Sequence, residues 1–199
     1  MKKTLYLAIF GLATSMVSSY GVGYVVFSSY FANNVLGAAT SLYEDGSLIG
    51  VPYQADLYYS LGTVSDPVNF GSVSSITSLP TGMTDLGIYE AYQFPYAAGP
   101  GYFGNYSPVV TIPGYTSGPI TFEVVAFNSS SYADSTIRGR SGTFTMNSIG
   151  DGSDPIPSLG DNGNPMPDFL VAPAPEPTTL ALAGLGIMAS LAALRRKLV

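Results

Sequence analysis

The sequence contains no cysteine, no histidine and no tryptophan. Without cysteine there are no disulfides and no thiolate metal sites. Without histidine, Ser-His-Asp and Cys-His nucleophiles are impossible, and the commonest metal ligand and general base is missing. Lysine occurs only at Lys2, Lys3 and Lys197, so the stretch between the two ends cannot form a Ser-Lys dyad either. From residue 22 to 174 the only basic residues are Arg138 and Arg140, against twelve acids from Glu44 to Asp168, a formal charge of −10. Such a body is repelled by phosphate backbones, whose contacts need Lys and Arg. It suits a soluble secreted domain kept apart from its copies by net charge.

What is present lies first at the two ends. Lys2 and Lys3 precede an apolar run from Leu5 to Val17, followed by the small residues Ser18, Ser19, Gly21 and Gly23. This is the three-part pattern of a secretory signal peptide. At about 1.5 Å per residue the run is too short to span a bilayer comfortably. Residues 1–23 are therefore expected to form a signal helix read by the Sec translocon and removed by signal peptidase after Ser19, Gly21 or Gly23.

Residues 24–149 are expected to be an all-β body, an antiparallel β-sandwich. Short runs rich in Tyr, Phe, Val, Ile and Thr lie between Gly, Pro, Asn and Ser clusters, which is the strand signature. Candidate strands are Tyr24 to Phe27, Gln54 to Leu61, Gly87 to Phe94, Pro108 to Ile112, Ile120 to Phe127 and Gly142 to Met146. Ser41 to Tyr43 and Leu48 to Ile49 flank Asp45-Gly46 like the arms of a hairpin. Around Val73 to Thr84 a helix would interrupt the strands, but the pattern does not assign one. The clearest strand is 120–127, where Ile120, Phe122, Val124 and Ala126 form a wholly apolar face and Thr121, Glu123, Val125 and Phe127 a mixed one.

Composition changes at residue 150. Residues 150–177 hold seven of the fifteen prolines, with Gly150, Gly152, Gly160, Gly163, Asp151, Asp154 and Asp161. Residues 150–172 are thus expected to be a disordered spacer holding the body clear of a membrane. Residues 178–194 are uncharged and apolar, about 26 Å long as a helix, at the low end for a single transmembrane helix. The span ends in Arg195, Arg196 and Lys197, a basic stop expected in the cytoplasm.

Pro175-Glu176-Pro177, the following Thr178-Thr179, the apolar span and the terminal basic cluster resemble the PEP-CTERM sorting signal, also catalogued as an ice-binding-protein C-terminal domain. The family's usual form has Ser where this chain has Thr178. The resemblance covers residues 173–199 and implies processing near Pro175-Glu176-Pro177 by an exosortase, a membrane transpeptidase. It also implies transient inner-membrane anchoring, then a place at the cell surface or in the extracellular matrix of a diderm bacterium that makes exopolysaccharide. The body resembles small β-rich surface proteins with the same tail in Verrucomicrobia-like bacteria. That match rests on pieces such as Tyr53 to Tyr58, Gly101 to Gly104, Val110 to Gly114 and Phe122 to Phe127, and implies no assigned activity.

No catalytic residue, metal ligand or cofactor is assigned. Glycoside hydrolysis would need two carboxylates across a cleft, and Asp56, Asp85, Glu90 and Glu123 lie on or near strands. They read as structural or surface acids. Asp151 to Asp154 and Asp161 to Asn164 offer oxygen ligands but no EF-hand spacing. Tyr92, Tyr96 and Tyr102 belong to a dense aromatic stretch and are candidates for stacking on sugar faces, the alternative being that they pack the core. The sequence thus favours a surface-directed, non-catalytic domain, with an exopolysaccharide-binding module as the alternative and a small glycoside-active enzyme behind it.

Overall fold

The computed structural model describes residues 21–30, 32, 41–43, 46–50, 53–66, 72–87, 100–104, 109–153 and 155–175. Nine strands and one helical turn occur among them: β1 Val22–Val26, β2 Ser41–Tyr43, β3 Gln54–Leu61, α1 Val73–Ile76, β4 Thr84–Asp85, β5 Val109–Pro113, β6 Ile120–Phe127, β7 Ile137–Arg140, β8 Phe144–Met146 and β9 Phe169–Pro173. The chain is all-β. Seven strands form one sheet in the order β2-β9-β7-β6-β3-β4, with β8 also on β6, while β1 and β5 form a two-stranded antiparallel ribbon. All pairings are antiparallel except β2 with β9, where Ser41 to Tyr43 run beside Phe169 to Val171 in parallel. No helix among the described residues is long and apolar enough to cross a membrane. Residues 1–20 of the expected signal helix and the span 178–194 lie outside the described residues.

Strand β6 organises the large sheet. It pairs along its whole length with β3, from Gln54 opposite Phe127 to Leu61 opposite Ile120. On its other side the ladder is shared. β8 covers Ile120 to Phe122, and β7 covers Val125 to Phe127. The break between them is closed by Ser141, whose N–H donates to the Val124 carbonyl (2.8 Å) and whose hydroxyl accepts from the Val124 N–H (2.9 Å). A serine here keeps the backbone of β6 satisfied where the partner strand kinks.

Both faces of β6 are buried. The apolar face meets the main core, in which Ile120, Phe122, Val124 and Ala126 pack with Ala55 and Leu57 of β3. Val25, Val110 and Ile112 of the ribbon, Phe144 and Met146 of β8 and Phe169 and Val171 of β9 belong to the same core. Each large side chain so buried contributes roughly 1.5–3 kcal/mol. A second, smaller cluster of Val125, Phe127 and Tyr132 covers the opposite face with Tyr58.

Two sequence boundaries are corrected. Residues 150–172 are not a disordered spacer. Leu159, Met166, Phe169, Val171 and Ala172 are buried, and β9 lies inside the sheet between β2 and β7. Backbone bonds tie the preceding loop down as well, from Tyr24 N–H to the Gly150 carbonyl (2.8 Å), Val26 N–H to Pro157 (2.9 Å) and Asn164 N–H to Thr145 (2.8 Å). Proline and glycine prevent a regular ladder, yet the apolar side chains spaced among them anchor the segment one at a time. At the other end, the expected boundary after residue 23 falls inside β1, which starts at Val22 and pairs with β5 from that residue.

Gly139 is where β9 approaches most closely, since a Cβ there would collide with the Leu170 carbonyl. Gly139→Ala should therefore destabilise the domain by about 1–3 kcal/mol, the range for forced overpacking, in urea unfolding. Gly142→Ala, which meets open space, should change stability by less than about 0.5 kcal/mol.

Candidate functional site

Glu123 and Asp66 are held inside the fold by Arg140. Glu123 is fully buried at the centre of β6, in register opposite Tyr58 of β3. Its Oε1 accepts from Arg140 Nη1 at 2.7 Å, and the same nitrogen donates to Asp66 Oδ2 at 2.8 Å. Arg140 Nε donates to the Ser75 carbonyl in α1 (3.3 Å). The guanidinium thus joins the sheet to the helical turn and to the loop at Asp66. Arg138, two residues earlier on β7, does a parallel job. Its Nε reaches the Thr77 carbonyl (2.8 Å), and its Nη1 reaches the carbonyls of Tyr132 (2.7 Å) and Ala133 (2.6 Å). Its guanidinium also lies 5.1 Å from the centre of the Tyr132 ring. Both arginines of the body therefore fasten the cover over the second face of the sheet.

The second oxygen of Glu123, Oε2, is buried and finds no hydrogen-bond partner among the described residues. Burial outweighs the Arg140 contact and pushes the Glu123 carboxyl up to about 7. Burial also works on Asp66, but hydrogen bonds from Arg140 and Thr81 hold it below its ordinary value. For Arg140 the order reverses, since burial lowers it while its bonds to Asp66 and Glu123 leave it raised overall. Tyr58 is pushed up by burial and by Asp85, to whose Oδ2 it donates at 3.0 Å.

The other sequence candidates are dispersed. Asp56 is buried on β3, and its Oδ1 accepts from the Leu57 N–H (2.7 Å). Asp85 is exposed on the edge strand β4. Asp151 accepts from the N–H (2.9 Å) and hydroxyl (2.5 Å) of Ser153, and Asp161 accepts from the Ser158 N–H (2.6 Å). These carboxylates close local turns. Among the described residues no group of three or more acids could hold a metal ion. Tyr102 is half-buried with its ring edge-on to Tyr30 at 5.3 Å, while neighbouring Phe103 is fully buried against Phe27 at 4.7 Å. Part of the aromatic stretch is therefore core. Tyr92, Tyr96 and Glu90 lie outside the described residues.

One concavity among the described residues was not foreseen from the sequence. It is a groove of about 330 Å³ between the turn at Tyr115 to Gly118 and the loop from Ser148 to Pro157, with Asn162 on its wall. It exists because the segment expected as a spacer folds back. The Tyr115 hydroxyl forms part of this frame, donating to the Gly118 carbonyl (2.9 Å) and accepting from the Ile149 N–H (3.1 Å).

The sorting motif adjoins the fold directly. Pro173 pairs with Ile137, the Ala174 N–H donates to the Thr136 carbonyl (2.8 Å), and Pro175 is exposed. Glu176, Pro177, Arg195, Arg196 and Lys197 lie outside the described residues. Residues 173–197 match the family model for the PEP-CTERM protein-sorting motif. The chain carries a PEP-CTERM sorting signal. The motif implies processing by an exosortase membrane enzyme and an exported, cell-surface destination. No curated protein and no solved structure matches the chain.

The ion triad makes a pH prediction. The unfolded chain releases the Glu123 proton near 4.5, whereas the fold keeps it to about 7. Between those values the native state binds more protons, so stability falls as pH rises, by an amount on the order of 3 kcal/mol. Asp66 acts oppositely, and its contribution, present above 3.8, is lost on further acidification. The groups that interact with Glu123 are Tyr58 from β3, Arg140 from β7, Asp66 and Tyr132. The thermal midpoint should rise from pH 7.5 to about 5 and fall below about 4, and Glu123→Gln should flatten the limb between 5 and 7.

Proposed function

We propose that the protein is a non-catalytic, surface-directed β-domain with a structural role in the extracellular matrix. It passes the Sec translocon, loses its N-terminal signal, is held transiently at the inner membrane by residues 178–194 and is processed by exosortase. The observation that carries this reading is the sorting motif at 173–197, starting where the last strand ends. The engagement of Glu123 and Asp66 by Arg140 supports a scaffold, because these acids are held by an internal cation. The ribbon β1–β5 and the seven-stranded sheet, sharing one core, serve in this reading as the two unequal layers of a sandwich.

A second reading, binding of the cell's own exopolysaccharide, is favoured by the polar groove. Thr116, Ser117, Ser148, Asp151 and Asn162 offer hydroxyl, carboxylate and amide groups, and Pro155 and Pro157 add apolar wall. The volume falls in the range of small-ligand sites.

Deleting residues 175–199 leaves every described strand whole, and should abolish processing and surface display while the melting temperature of the body stays unchanged. Unaltered processing and location of that variant, followed by mass spectrometry and cell fractionation, would refute the sorting role. For the second reading, NMR titration with oligosaccharides cut from the native exopolysaccharide should shift amides of 115–118 and 148–157. A spectrum without shifts there removes it.

A further inference from the structure

The end of the sheet and the start of the sorting motif are the same residues. Pro173 is both the last residue of β9, paired with Ile137, and the first residue of the matched motif. Upstream of it, Val171 and Ala172 are buried, and β9 is an interior strand hydrogen-bonded on both sides. It cannot be peeled into an enzyme cleft without breaking its ladders to β2 and β7 together. Pro173 and Pro175 have no N–H, so among the described residues the last backbone hydrogen bond of the chain is the one from Ala174 to the Thr136 carbonyl.

We propose that the Thr136 end of β7 is a positioning element for the sorting reaction. It holds the chain in the sheet as far as Ala174, so that the processing enzyme meets Pro175-Glu176-Pro177 as a short stub on a rigid face and cuts only beyond the last paired residue. The inference rests on the exosortase reading given above and adds what this body contributes to it. The peptide bond that breaks lies beyond Ala174. Its carbonyl passes to the enzyme's nucleophile and then to water or an acceptor amine, and its nitrogen leaves as the amino group of the tail. Transpeptidases and proteases bind an extended segment on both sides of the scissile bond, and main-chain pairing is how such segments are gripped. Here the residues preceding the motif already have their main-chain partners within the sheet. Processing of the folded protein therefore waits on release of Ala174 from Thr136.

The test uses the full-length protein in its native host, with pulse-chase for the processing half-time and mass spectrometry for the mature C-terminus. A short Gly/Ser insertion between Ala174 and Pro175 lies outside the ladders, and should leave the melting temperature unchanged while speeding processing about fivefold, the factor one typical hydrogen bond is worth. The wild-type mature chain should end at Ala174 or later. The proposal is overturned if the wild type is processed and the insertion leaves the half-time unchanged, or if the mature chain ends before Ala174. A wild type that is never processed overturns the exosortase reading itself, and this proposal with it.

Discussion

A carboxyl group sealed from water needs a proton or a cation, and in this protein Glu123 has Arg140 on one oxygen and holds its proton to about 7. The pairing sits on the central strand, where it lets a strand with a mixed face be covered on both sides. Arg140 then reaches Asp66 and the Ser75 carbonyl, so the cover over the second face is attached through one side chain. Removing one partner of a buried pair costs far more than the pair contributes, because the other charge is left alone. That makes the triad a constraint more than a source of stability. With two basic residues for twelve acids between residues 22 and 174, the fold places both of them in this cover, Arg140 against the acids and Arg138 against backbone carbonyls.

The ends of the domain show a second economy. β1 begins at Val22, and β9 ends at Pro173, where the sorting motif begins. The groove beside Tyr115 is a by-product of the same economy, since its far wall is the loop that carries the chain from β8 to β9. Sorting and folding share residues at the junction, which is why the motif's first two residues obey the sheet.

Much of the body was legible in the sequence. Strands β3 and β6 alternate cleanly and stand where the pattern placed them, and β5 and β8 differ from it by a residue or two. Ser41 to Tyr43 is a strand as expected, but its partner is β9, a choice made by contacts 128 residues away at Phe169. β7 was missed because Ile-Arg-Gly-Arg has the composition of a turn, although Arg138 and Arg140, two apart, share one strand face. β9 was missed because Phe169 to Ala172 is a four-residue apolar run inside a Pro/Gly/Asp-rich stretch, whose average hides it. Of the sites, the sorting motif was legible because it is local in sequence. The acid–arginine triad joins residues 66, 123 and 140, and no local pattern shows that the three meet.

The position of β9 also fixes an order of events. The strand lies in the sheet's interior but comes last among the described elements, so β2 and β7 cannot reach their final partners until residues 169–173 are available. Contacts of such long sequence separation slow folding. The body of an exported chain can therefore close its sheet only after nearly all of it has emerged, with its tail still to follow. A chain that stops short of residue 169 lacks the strand that joins β2 to β7, and so cannot complete the sheet.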